Sequence, residues 1–204
     1  MAENNASPRG IAIVGLNGSG KSTLNHMLAG VTGYYEMDVE DYYFPHQKEQ
    51  RRLALEKIPA AVAEPAYASG RIQEEVEAAL LRDMAAHPEF ILSCVRLGWG
   101  EALRGRIGLV FWLQVPQAER MGRIARREEQ RFGSRVLPGG DMYERQQSFH
   151  RLVMGRQPQD VARSLEGLAC PVITLDGTLP PEENLAAMLK ALGEASFHPG
   201  SSVV

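Results

Sequence analysis

Residues 15–23 read GLNGSGKST, and Gly15, Gly20, Lys21 and Ser22 fall at the spacing G-x-x-x-x-G-K-[ST]. Glycines let consecutive backbone N–H groups turn into one concavity, and a helix starting there adds its positive end. A polyphosphate suits such a cradle. The stretch Gly15, Asn17, Gly18, Ser19, Gly20 and Thr23 would wrap the phosphates. Lys21 would reach the β- and γ-phosphates, and the Ser22 hydroxyl would ligate Mg²⁺. Lysine is scarce elsewhere, at Lys48, Lys57 and Lys190. The loop is expected to bind a nucleoside triphosphate with Mg²⁺. No N-K-x-D guanine signature is present, which argues against a GTPase.

A second group of residues lies in MDVEDYYFP, 37–45. Motor-type ATPases end an apolar strand on an acid that serves the metal, whereas FILSCVRLG, 90–98, contains none. The carboxylate must come from elsewhere, and Asp38 and Asp41 are the nearest acids after a strand. Asp38 directly ends the strand and is expected in the Mg²⁺ shell. Asp41, one helical turn on, is expected to face an acceptor, as the base that takes a hydroxyl proton. Tyr42 beside it is a candidate acceptor contact. Arg96, helped by Arg51 or Arg52, keeps an acidic or phosphorylated acceptor open.

A third group is the run ERMGRIARREEQRFGSR, 119–135, with six arginines. Arg120, Arg123, Arg127 and Arg131 step by three or four and form one helical stripe. Glycines and a proline then break the helix in RFGSRVLPGGDMYE. Arginines on a mobile flap that closes over a triphosphate stabilise charge during phosphoryl transfer and exclude water. Arg127 and Arg131 are the expected catalytic pair.

These groups need a scaffold. Short apolar runs at 10–14, 34–37, 90–95, 107–115 and 171–175 read as strands buried on both faces. Helical patterns occupy 21–30, much of 46–87, 116–130, 141–167 and 180–193, two of them opening at Pro116 and Pro181. Alternating strands and helices predict a parallel α/β sheet covered on both sides. A chain of 204 residues suits one domain. A net charge of −3 argues against nucleic acid, and no apolar run reaches membrane-spanning length. The polar start lacks a signal-peptide layout, and Cys94 and Cys170 are far apart, so a cytoplasmic monomer or homodimer with reduced thiols is expected.

GLNGSGKST, MDVEDYYFP, the arginine run and PVITLDGTLPPEEN together resemble the nucleoside monophosphate kinase-like group of small P-loop kinases. That group includes adenylate, cytidylate, shikimate and gluconate kinases. The resemblance implies a three-layer fold, with a five-stranded parallel sheet ordered 2-3-1-4-5. It also implies an acceptor-binding helical insertion at 39–88 and a lid at 126–142. Arg123 would pack on adenine, with Asp176, Gly177 and Thr178 bordering the base through their backbone. The activity implied is transfer of the γ-phosphate of Mg-ATP to a small-molecule acceptor. The chain lacks the glycine triplet of shikimate kinases and the D-G-x-P-R run of adenylate kinases, so an alcohol, a nucleoside and a monophosphate all stay open. An NTP-binding module or slow ATPase without an acceptor is the alternative.

Overall fold

The structure is a computed structural model that describes residues 10–45 and 70–195. Its strands are β1 (Gly10–Val14), β2 (Tyr35–Asp38), β3 (Phe90–Cys94), β4 (Leu109–Gln114) and β5 (Val172–Asp176). All pair in parallel, in the order 2-3-1-4-5. The helices are α1 (Lys21–Thr32), α2 (Val39–Tyr43), α3 (Gln73–Ala86), α4 (Glu101–Arg104), α5 (Gln117–Phe132), α6 (Tyr143–Met154), α7 (Pro158–Leu165) and α8 (Pro181–Ala195). A 3₁₀ turn, Gly133–Val136, follows α5.

The sheet divides two cores, as alternation along a strand requires. Ile11 and Ile13 of β1 face α1 and α8, meeting Leu24, Leu28, Phe111 and Met188. Ala12 and Val14 face the other way, toward Val39, Val76, Leu80, Met84 and Val161. The central strand β1 is buried along its whole length. The edge strand β5 departs from the expected two-sided burial: Val172, Thr174 and Asp176 are exposed, because no strand or helix covers that side of the edge among the described residues.

Parallel pairing brings every strand's carboxyl end to one rim. In register, Val14 lies against Cys94 and Trp112, Asp38 against Ser93, and Gln114 against Asp176. Ligands of open α/β sheets gather at such a rim.

Two helical expectations need correction. The run 141–167 is two helices, because Gly155 ends α6 and Pro158 opens α7 with its fixed φ. Of the long helical stretch expected within 46–87, Gln73–Ala86 is observed; Arg51, Arg52 and the rest of 46–69 lie outside the described residues.

Candidate nucleotide and phosphoryl-transfer site

The loop after β1 turns back on itself: Ser19 N–H donates to the Leu16 carbonyl at 3.2 Å, and Gly20 takes a left-handed conformation (φ 100°) to start α1. No side chain caps that helix and its first turn carries no acid. Its exposed dipole end therefore favours an anion. Gly18 shows why the glycines are needed. Its φ is 80°, and a Cβ there would stand 2.6 Å from the Arg120 carbonyl oxygen. Ser19 is 1% exposed, and its Oγ is buried with no hydrogen-bond partner.

Lys21 lies within this curl and donates from Nζ to the Leu16 carbonyl at 3.2 Å. Burial lowers its pKa below the ordinary lysine value, while Glu40 and Asp38 oppose that shift and Arg127 adds to it. Ser22, next to Lys21, and Asn25, one turn along α1, face β2. The Asn25 amide donates to the Met37 carbonyl at 2.9 Å, locking β2 against the helix. Ser22 Oγ donates to Asp38 Oδ2 at 2.7 Å. Asp38 Oδ1 accepts the Glu40 N–H at 3.0 Å, so the same carboxylate caps α2. These are hard oxygen donors beside a phosphate cradle. They fit Mg²⁺, which keeps waters and borrows phosphate oxygens instead of needing a full protein cage.

The three acids after β2 have different surroundings. Glu40, absent from the sequence-based candidates, is the carboxylate that acts on both Lys21 and Arg156. Asp41 is half-buried on the next position of α2. Tyr42 is a core residue, 9% exposed; its hydroxyl donates to Asp83 Oδ2 at 2.5 Å and ties α2 to α3. Burial and that bond push its pKa well above the usual phenol value. Tyr42 is thus a packing residue rather than the acceptor contact expected from the sequence. The neighbouring Tyr43 is half-buried; burial raises its pKa and Arg96 lowers it. Its ring lies 6.4 Å from that of Trp99.

The arginine stripe is not a uniform phosphate-facing row. Arg120 is 3% exposed and braces the loop from behind, donating from Nη1 to the Asn17 carbonyl and from Nε to the Val115 carbonyl, both at 3.2 Å. Arg123 links three pieces: it donates to the Ser19 carbonyl at 3.4 Å, the Gly177 carbonyl at 2.9 Å and Glu119 at 2.5 Å. Arg127 pairs with Glu128 at 2.8 Å yet remains close enough to act on Lys21. Arg131 is exposed, with its guanidinium carbon 5.5 Å from the Phe132 ring centre. Arg135 forms a two-pronged pair with Asp141, at 3.0 and 2.7 Å, closing the glycine-rich segment on itself. Protein carboxylates thus engage Arg127 and Arg135.

The DGT turn is rigid. Asp176 Oδ1 accepts both the Thr178 N–H and its hydroxyl, at 2.9 and 2.7 Å, and these bonds hold the carboxyl below its usual range. Gly177 N–H donates to the Gln114 carbonyl at 2.8 Å, and a Cβ there would stand 2.5 Å from Val115 Cγ2. A cavity of about 190 Å³ opens between Gly20, Thr23, Arg123, Gly177 and Asn184.

Arg156 was missed by sequence reasoning. It lies in the break between α6 and α7, and its Nη1 donates to Asn17 Oδ1. The signal was available, since the G-R-Q-P stretch has a helix stop and a helix start flanking one arginine. Cys94, at the end of β3, is buried and its thiol is pushed up to about 12, which keeps it from acting as a nucleophile beside Lys21.

A five-stranded parallel sheet ordered 2-3-1-4-5, with a phosphate loop between β1 and α1, defines a P-loop fold. Residues 11–147 match the AAA_18 family model (AAA domain), and the chain belongs to that family. It is 28% identical over 192 residues to the uncharacterized protein YqaC of Bacillus subtilis strain 168, which covers 90% of this chain and 97% of that one. Its fold is similar to that of a gluconokinase from Sinorhizobium meliloti 1021, with a TM-score of 0.55 at 19% identity, covering 93% of this chain and 94% of that chain. A sugar kinase from Janibacter sp. HTCC2649 gives a TM-score of 0.52 at 21% identity, covering 91% and 94%. No helix among the described residues is long and apolar enough to cross a membrane.

Proposed function

We propose that the chain is an ATP-dependent phosphotransferase whose acceptor is a small alcohol that also carries an anionic group. The observation that carries this reading is that Glu40 favours the charged forms of both Lys21 and Arg156, while Arg96 opposes that of Arg156, so that one carboxylate acts among three cations beside the phosphate loop. A carboxylate among cations suits a neutral hydroxyl, which it orients and whose proton it accepts. Arg96, exposed after β3 and within electrostatic reach of Arg156 and Tyr43, suits the acceptor's negative group. Glu40 takes the role that the spacing alone assigned to Asp41.

The loop amides, Lys21 and the buried Ser19 hydroxyl bind the triphosphate; an unpaired buried hydroxyl costs about 1–3 kcal/mol, which a phosphate oxygen offsets. Arg123 and the Gly177 carbonyl flank the cavity that receives the base. Arg127 adds positive charge beside Lys21 during transfer. Ser22 and the Asp38 carboxylate would hold Mg²⁺, which when bound would supply positive charge to the phosphates. The remaining chemistry is positioning by the chain's own groups.

A coupled ADP-release screen over polyols, sugar acids, nucleosides and nucleoside monophosphates tests the proposal. Turnover is expected with a hydroxy acid or a phosphorylated alcohol. Equal slow hydrolysis under every condition makes the chain an NTP-binding module instead. Ser22→Ala should raise the Mg²⁺ concentration needed for half-maximal turnover, with nucleotide affinity changing little. Superimposable Mg²⁺ titrations of mutant and wild type would remove Ser22 from the metal shell.

A further inference from the structure

We infer that the protein carries a second ligand site, for a small aliphatic carboxylate, anchored by Arg104 at the end of the sheet away from the phosphate loop.

Gly108 directly precedes β4 and Pro171 directly precedes β5, so both stand at the amino ends of their strands. Among the described residues, a cavity of about 290 Å³ opens there, bounded also by Arg104, Gly167 and Cys170. The phosphate loop follows the carboxyl end of β1, and β1, β4 and β5 pair in parallel, so the two sites lie at opposite ends of the sheet. The volume is at the small end for metabolite pockets, which begin near ~300 Å³.

Arg104 brings a largely uncancelled charge into this space. Its side chain is 14% exposed. Nη1 donates to the Leu97 carbonyl at 3.2 Å and the Ser164 carbonyl at 2.9 Å, and Nη2 donates to the Glu166 carbonyl at 2.6 Å. Carbonyls fix the plane of a guanidinium without neutralising it, and its five N–H donors exceed these three bonds. Glu101 stands 3.6 Å from Nε, with its own side chain 94% exposed. An ion pair so exposed is weak, and its carboxylate gives way to a better-placed one.

A structural pin accounts for the three carbonyl bonds but not for the room beside them. Gly167 takes a left-handed conformation (φ 71°), and a Cβ there would stand 4.0 Å from Arg104 Nη2. Gly105 and Gly108 leave the adjoining wall without side chains.

The other walls select the class of anion. Ile107, Leu168 and Pro171 add apolar surface, which suits a short hydrocarbon body. One arginine with a weak competitor suits a single negative charge. A phosphate monoester, with nearly two charges at neutral pH, calls for a cluster of cations. The planar fork of arginine matches the two oxygens of a carboxylate.

Cys170 reports on the cavity that it lines. Its thiol is half-buried; burial raises its pKa, and Arg104 is close enough to lower it in part. The chain's other cysteine, Cys94, is buried. A neutral alkylating reagent therefore marks Cys170.

Alkylation of the folded full chain by iodoacetamide at constant ionic strength, with mass mapping of the Cys170 peptide, tests the site. Butyrate should slow labelling, roughly tenfold at ten times its half-effective concentration, and uncharged butyramide should not. Arg104→Lys should raise that half-effective concentration roughly tenfold, since lysine keeps the charge and loses the fork. Glu101→Gln should lower it about two- to fivefold, the effect of removing an exposed competing charge. Lys21→Ala should leave the protection unchanged. Each variant is read as a ratio of rates with and without butyrate, because Arg104 also acts on the thiol itself.

No protection by butyrate, or equal protection by butyramide, would overturn the inference. Protection by inorganic phosphate with none by butyrate would do the same for the carboxylate assignment. An unmoved half-effective concentration in Glu101→Gln, or in a folded Arg104→Lys, would remove Arg104 as the anchor; if Arg104→Lys loses the fold, the exposed Glu101→Gln change decides alone. Loss of protection in Lys21→Ala would mean that butyrate acts from the phosphate loop.

Discussion

Lys21→Ala is expected to weaken Mg-ATP binding roughly ten- to a hundredfold, the loss of a charged hydrogen bond, and to slow turnover by roughly 10²–10³. The fold should survive. Without ligand, the ammonium donates to the Leu16 carbonyl, a bond internal to the loop that a phosphate oxygen can replace. Burial disfavours its charge, so alanine removes a desolvation penalty together with the function. Asp38 retains Ser22 and the Glu40 N–H. The melting temperature should therefore hold or rise, as when a strained functional group is removed.

The same burial predicts a pH signature. Lys21 in the free protein has a pKa below the ordinary lysine value of about 10.4, and bound phosphate favours its charged form. Nucleotide binding on the alkaline side should take up protons, and affinity should fall as pH rises through the lowered pKa. Calorimetry in two buffers of different ionisation enthalpy measures the uptake. Unaltered affinity in Lys21→Ala would count against the whole site, and a collapsed fold would make Lys21 structural.

How much of this was legible beforehand followed the range of the interactions. The phosphate loop is local: its glycines, lysine and serine sit in one stretch, and strand and helix begin where the motif requires. Sheet order came through resemblance and was matched by the pairing. Residues serving backbone carbonyls were not legible. Arg120 looked like one member of a surface stripe, yet its partners are the Asn17 and Val115 carbonyls, and a carbonyl has no residue signature. The Arg135–Asp141 pair was not legible either, because Asp141 lies six residues from Arg135, outside helical spacing, and only a turn brings them together. Tyr42 and Tyr43 are adjacent in sequence, and only the docking of α2 on α3 decides which is buried. Glu40 carries no sequence signal of its own, because its surroundings depend on where α2 begins. The start of α2 at Val39 puts Glu40 in the first turn, where its charge meets both Lys21 and Arg156.

That placement sets the second large effect. Glu40→Gln is expected to lower turnover with an alcohol acceptor by roughly 10²–10⁴, the range for losing a group that takes the acceptor's proton. Nucleotide affinity should hold or tighten, because the substitution removes a negative charge near the end of an anionic chain. The two readouts move apart, which a general loss of structure does not produce. Asp41→Asn on the same helix serves as the comparison and should cost far less, while Asp38→Asn should act through a changed Mg²⁺ requirement. Steady-state kinetics with the acceptor found by screening, paired with nucleotide titrations, separates the three. A full-rate Glu40→Gln beside a crippled Asp41→Asn returns the proton-accepting role to Asp41. Wild-type rates in both mean that the attacking oxygen is already anionic; a phosphate monoester held by Arg96 then becomes the acceptor, since such a nucleophile needs no carboxylate to release a proton.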